Sequence, residues 1–191
     1  MISGAVRDEL IARYSEPHRR YHTMTHIEDC LAQVAASTDM DETQRALMHA
    51  AIWFHDAIYD ATRSDNEAES AKLAAERLAT AGAEPAFVDE VVRLILLTAG
   101  HSVPADDVIG ARLVSIDLSI LGAEADRYDA YAVAIREEYA HVPEPLYRAG
   151  RAAILGRFLE SEALFADPLW AERYEVQARA NLTREIAALT A

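Results

Sequence analysis

Apolar residues recur at three- and four-residue spacing along almost the whole chain, and no stretch keeps the two-residue alternation of a half-buried strand. The pattern predicts helices over 4–14, 26–37, 42–59, 66–81, 85–98, 107–121, 124–140, 144–162 and 168–189. Punctuation agrees with it. Pro85 and Pro168 suit first helical turns, while Gly82, Gly100 and Gly122 suit helix ends. Thr25 with Glu28, and Ser64 with Glu67, read as capping boxes, which would start one helix at His26 and another near Asn66. No linker, repeat or low-complexity tract interrupts the series, so the expectation is one all-α domain over 1–191, a bundle of eight or nine helices.

Two of these apolar stretches contain a carboxylate where core is expected. Ala51-Ile-Trp-Phe-His-Asp-Ala-Ile-Tyr59 carries His55-Asp56, and Leu113-Val-Ser-Ile-Asp-Leu-Ser-Ile-Leu-Gly122 carries Asp117. Desolvating a carboxylate costs several kcal/mol unless a cation or hydrogen bonds offset it. Arg45 is the only Lys or Arg between Gln44 and Thr62, and neither type occurs from Leu113 to Asp126, so no local partner of that kind is at hand. An imidazole beside Asp56 points to a divalent metal, and the segment Tyr21-His-Thr-Met-Thr-His26 adds another His in a first helical turn. His26, His55, Asp56 and Asp117 make a mixed nitrogen and oxygen set suited to one divalent ion: Mn, Fe, Co, Ni, Zn or Mg. The alternative is a set of buried polar residues satisfied by hydrogen bonds.

Composition narrows the partners. The chain has 191 residues, 51% hydrophobic and 26% charged, enough to bury a core without disulfides. A single cysteine, Cys30, and an N-terminal stretch without the basic start and apolar centre of a signal peptide suggest a cytoplasmic setting. No uncharged apolar run approaches the ~18 residues of a membrane span. A formal charge of −14 disfavours nucleic-acid polymers and anionic membranes, yet leaves room for a small anionic substrate beside a metal. A homodimer is compatible with this composition.

The order His26, His55-Asp56, Asp117 resembles the H…HD…D signature of the HD superfamily of metal-dependent phosphohydrolases. Arg19-Arg-Tyr-His-Thr-Met-Thr-His26, Phe54-His-Asp-Ala-Ile-Tyr59, Asn66-Glu-Ala-Glu-Ser70, Asp117-Leu-Ser-Ile-Leu-Gly122, Ile135-Arg-Glu-Glu-Tyr139 and Glu175-Val-Gln-Ala-Arg-Ala-Asn181 are similar to a bacterial branch of predicted HD phosphohydrolases. The resemblance implies an HD-type helical bundle and a cytoplasmic hydrolase acting on a small phosphorylated molecule, a nucleotide above all, through a metal-activated water. It also implies that Asp56 both holds the ion and helps orient the water. Dinuclear relatives place two extra His between the HD pair and the last Asp. This sequence has only His101 there, which favours one ion and puts His101 at the substrate.

Other residues carry two readings each. Arg19 and His22, seven and four positions before His26, either bind phosphate or serve as an ion-paired arginine and a core-edge hydrogen bonder. Glu67 is a general acid or base, or the capping partner of Ser64. Asn66 and Ser70 are substrate or supporting donors. Arg136, Arg151 and Glu175, within apolar stripes, are expected to pair internally. A non-catalytic HD module that binds a nucleotide as sensor or regulator is the functional alternative.

Overall fold

The structure is a computed structural model that describes residues 2–191. Among the described residues there are nine α-helices, one 3-10 segment and no strand. The helices are α1 (Gly4–Tyr14), α2 (Met24–Ala36), α3 (Glu42–Phe54), α4 (Asn66–Thr80), α5 (Pro85–Leu97), α6 (Val108–Asp117), α7 (Ala125–Glu138), α8 (Glu144–Glu160) and α9 (Pro168–Thr190), with the 3-10 segment Leu118–Gly122 following α6. No helix among the described residues is long and apolar enough to cross a membrane. By internal contacts the chain divides into two compact units, one ending at Leu113 and the other running from Val114 to Ala191.

In the first unit α3 is the central element, packed against α2, α4 and α5. Its second half, Ala50-Ala-Ile-Trp-Phe54, is buried on every side, as its unbroken apolar sequence requires. The helix begins in a true capping box. Gln44 N–H donates to Asp41 Oδ1 at 2.8 Å, and Asp41 N–H donates to the Gln44 side chain at 3.0 Å.

The two boxes expected from sequence are absent, each for a local reason. Helix α2 starts two residues early, at Met24, because the Thr23 carbonyl accepts from the His26 and Ile27 amides. Helix α4 follows Asp65, whose carboxylate is held by Arg63 at 2.8 Å and so caps nothing. At its far end α4 closes through Gly82 (φ 78°): the Gly82 amide reaches Ala79 O at 2.9 Å and the Ala83 amide reaches Leu78 O at 3.0 Å, the paired closure of a Schellman turn.

The larger departure is at α3, expected to run through residue 59 but ending at Phe54. The backbone beyond finds partners outside the helix. Arg19 takes the carbonyls of Asp56 (2.7 Å) and Ala57 (3.0 Å), and Ser70 Oγ accepts from the Ile58 amide (3.0 Å). His18 Nε2–H donates to the Tyr59 carbonyl at 2.7 Å, while Asn66 pairs with both backbone groups of Asp60. With those groups satisfied elsewhere, helical continuation has nothing to offer them.

In the second unit α9 packs against α8 and the 3-10 segment. Asn181, almost fully buried, donates from Nδ2 to the carbonyls of Leu121 (2.9 Å) and Ala123 (2.8 Å) and thereby ties the end of the 3-10 segment to α9. Gly122 sits against the Tyr174 backbone so closely that a Cβ there would lie 2.7 Å from Tyr174 O and 2.5 Å from its Cβ. The expected internal pairing holds for Arg151, which binds Glu185 at 2.9 Å, for Arg136, which binds Glu144 at 2.9 Å, and for Glu175, which binds Arg179 at 2.7 Å.

Because neither backbone at that crossing can yield cheaply, Gly122→Ala is expected to cost about 1–3 kcal/mol. Urea denaturation checks this: the midpoint should fall with little change in slope, and an unchanged midpoint would refute the close-packing argument.

Candidate metal centre

His26 is the third residue of α2, so its backbone is set by the helix start while its ring faces inward, 5% exposed. His55 caps the C-terminus of α3 and is 2% exposed. Its Nδ1 lies 2.9 Å from the Ile52 carbonyl. A carbonyl oxygen only accepts, so Nδ1 carries the hydrogen and, in the neutral ring, Nε2 presents a lone pair. That lone pair points at Asp56 Oδ2, 3.0 Å away, and His26 Nε2 approaches the same two atoms at 3.2 Å and 3.6 Å.

Two lone-pair atoms facing each other at 3.0 Å in a buried site repel unless a cation lies between or beside them. Burial pushes the Asp56 carboxyl up, but positive charge on the surrounding imidazoles, His55 first and then His22 and His26, outweighs it and holds the group below the usual carboxylate range. The site therefore keeps an anion and demands a cation, either a proton on an imidazole or a metal ion.

Helix α6, which runs on past Leu113, carries Asp117 as its last residue. His26, His55, Asp56 and Asp117 are a group of side chains that could hold a metal ion. Atoms bound ~2.1 Å from a common ion stand roughly 3–4.3 Å apart, and the donors of His26, His55 and Asp56, at 3.0, 3.2 and 3.6 Å from one another, have that spacing. Two neutral imidazoles and two carboxylates also balance the charge of a divalent ion. The donors fit the group that the sequence pattern implies, and Asp56 keeps 16% of its side chain exposed.

The remaining candidates separate. His22 stacks on Tyr59 (centroids 4.0 Å) and stands 6.3 Å from the His26 ring, next to the ligands. Arg19 is spent internally: its side chain is 0% exposed, and its guanidinium binds Glu16, the His22 carbonyl and the carbonyls of Asp56 and Ala57. It has no face turned to a phosphate. Ser70 is fully buried on Ile58, and Asn66 clasps Asp60, so both act on the loop that follows the His-Asp pair. Glu67 lies in the first turn of α4 without the cap to Ser64 that the sequence suggests, since Asp65 holds the N-cap position. His101 sits in the turn after α5 with φ 52°, and it is not a member of the four-residue group.

Tyr21 is a neighbour of the site that sequence reasoning misses. Its hydroxyl lies 3.0 Å from His26 Nδ1, a hydrogen bond that orients the ring. A spacing of five residues across a non-helical bend offers no periodic signal for such a pair.

No family model matches the chain, and neither the curated proteins nor the solved structures compared with it yield a match.

If the four residues form one centre, metal-loaded wild type should hold about one divalent ion per chain and Asp117→Ala should lose affinity by at least ~10-fold. Elemental analysis after dialysis decides it; equal metal content in both proteins would dismiss Asp117 as a ligand.

Proposed function

We propose that this protein is a metal-dependent phosphohydrolase acting on a small phosphorylated molecule, with a nucleotide as the leading substrate class. The observation that carries the proposal is the convergence of His55 Nε2 and His26 Nε2 on Asp56 Oδ2, at 3.0 Å and 3.6 Å, within a group of side chains that could hold a metal ion. The order of the ligands along the chain, which resembles the HD superfamily pattern, supplies the reaction class.

A divalent ion bound at this position supplies Lewis acidity toward a phosphoryl oxygen and acidifies water. The protein's own residues do the rest. Asp56 has partial exposure, so a carboxylate oxygen can accept a hydrogen bond from the attacking water and orient it. His22, fixed by its stack on Tyr59, is placed to donate to phosphoryl oxygens as their charge grows. Glu67, in the first turn of α4, is the residue assigned to take or return a proton. Arg19 holds backbone and makes no substrate contact.

A screen of metals against nucleoside mono-, di- and triphosphates and a chromogenic phosphate monoester tests the reading. Asp56→Asn is expected to abolish nearly all turnover, and His22→Ala to lower kcat about 100-fold with metal content unchanged. Wild-type kcat in Glu67→Gln would remove Glu67 from the chemistry. Failure of every metal-loaded form to hydrolyse any of these esters would replace the enzyme by a nucleotide-binding regulatory module.

A further inference from the structure

His55 keeps helical backbone (φ −57°, ψ −38°) with its amide on the Ala51 carbonyl at 2.9 Å, and its Nε2 meets Asp56 Oδ2 at 3.0 Å. The chain leaves the helix directly after this pair, the Ala57 amide turning to the Phe54 carbonyl at 3.0 Å. The residue that holds the chain beyond this point is Arg19. Its Nη1 donates to the carbonyls of Asp56 at 2.7 Å and His22 at 3.1 Å, and its Nη2 donates to the Ala57 carbonyl at 3.0 Å. The guanidinium carbon sits 5.2 Å from the Tyr14 ring centroid and 5.5 Å from that of Tyr59, so aromatic faces close it in. Glu16 anchors the outer end through Nε at 3.1 Å.

A planar fork is the one side chain able to reach the segment before His26 and the segment after His55 at once with fixed geometry. We infer that Arg19 is a positioning residue for the metal centre, setting its affinity and coordination geometry by clamping the Asp56 and Ala57 carbonyls; this rests on the metal reading of the four-ligand site. A purely structural arginine would behave differently, and the protein contains one for comparison. Arg45, at the opposite end of α3, also binds backbone carbonyls, of Val34 at 2.7 Å and Ser37 at 2.9 Å, and contacts none of the four ligands.

The test compares wild type, Arg19→Lys and Arg45→Lys. Each is titrated with Co²⁺ alone, with calorimetric affinity, the visible ligand-field spectrum and the metal-free melting temperature as readouts. Both variants should melt earlier, because lysine cannot span the carbonyls. Arg19→Lys alone should bind Co²⁺ about 10- to 100-fold more weakly with an altered spectrum, while Arg45→Lys stays within about 3-fold of wild type. Arg19→Lys that matches Arg45→Lys in affinity and spectrum would reduce Arg19 to a structural residue. If Arg19→Lys does not fold, Glu16→Ala decides, since it frees only the outer end of the guanidinium. A changed spectrum with a few-fold weaker affinity sustains the role, and an unchanged spectrum and affinity overturn it. Wild type that takes up no ion overturns the metal centre itself, an outcome distinct from the others.

Discussion

Because a carbonyl oxygen can only accept, the contact between His55 Nδ1 and Ile52 at 2.9 Å removes the choice of tautomer at the centre of the site. The consequences are largely electrostatic. Nε2 of that ring then faces the Asp56 carboxylate, and His26 faces both. An apolar helix would gain more from a leucine at these positions than from a histidine and an aspartate. The polar residues cost stability unless a cation completes the group, which makes the site a place where folding energy is exchanged for binding capacity.

Around that centre, most polar residues serve the backbone rather than the solvent. Arg19, Ser70, His18 and Asn66 take up consecutive carbonyls and amides between Asp56 and Asp60, and Tyr14 donates to the Trp53 carbonyl at 3.0 Å just before them. A segment dressed in this way is irregular yet held in place, since its hydrogen bonds end on α4 and on the connection between α1 and α2.

Much of this is legible in the sequence alone. The nine helices follow from apolar spacing, and α1 has the very bounds that spacing predicts. The four grouped residues follow from carboxylates set in apolar stretches with no basic neighbour. Less legible is anything decided by a partner far along the chain. The end of α3 at Phe54 depends on Arg19, which local sequence cannot connect to Asp56. The capping box expected at Ser64 fails because Asp65 takes the cap position, and the one at Thr25 fails because Thr23 lies at the helix start. Arg19 and Ser70 look available to a substrate because a sequence gives a residue's donors without saying which are already spent. Tyr21 is invisible for the converse reason: its contact is with an imidazole five positions away across a bend.

The bonds that shape the ligand turn span 37 and 38 residues from Arg19, and 41 from His18 to Tyr59. Contacts of that separation form only after the intervening chain has closed, whereas the Asp41–Gln44 cap can nucleate α3 locally. Folding of this region is therefore ordered in time: α3 is able to stand early, and the His-Asp turn at its end settles once α1 and the stretch after it have docked. An ion arriving before that docking would meet imidazoles and carboxylates held at no fixed spacing, so selective capture belongs to the last stage of the folding path.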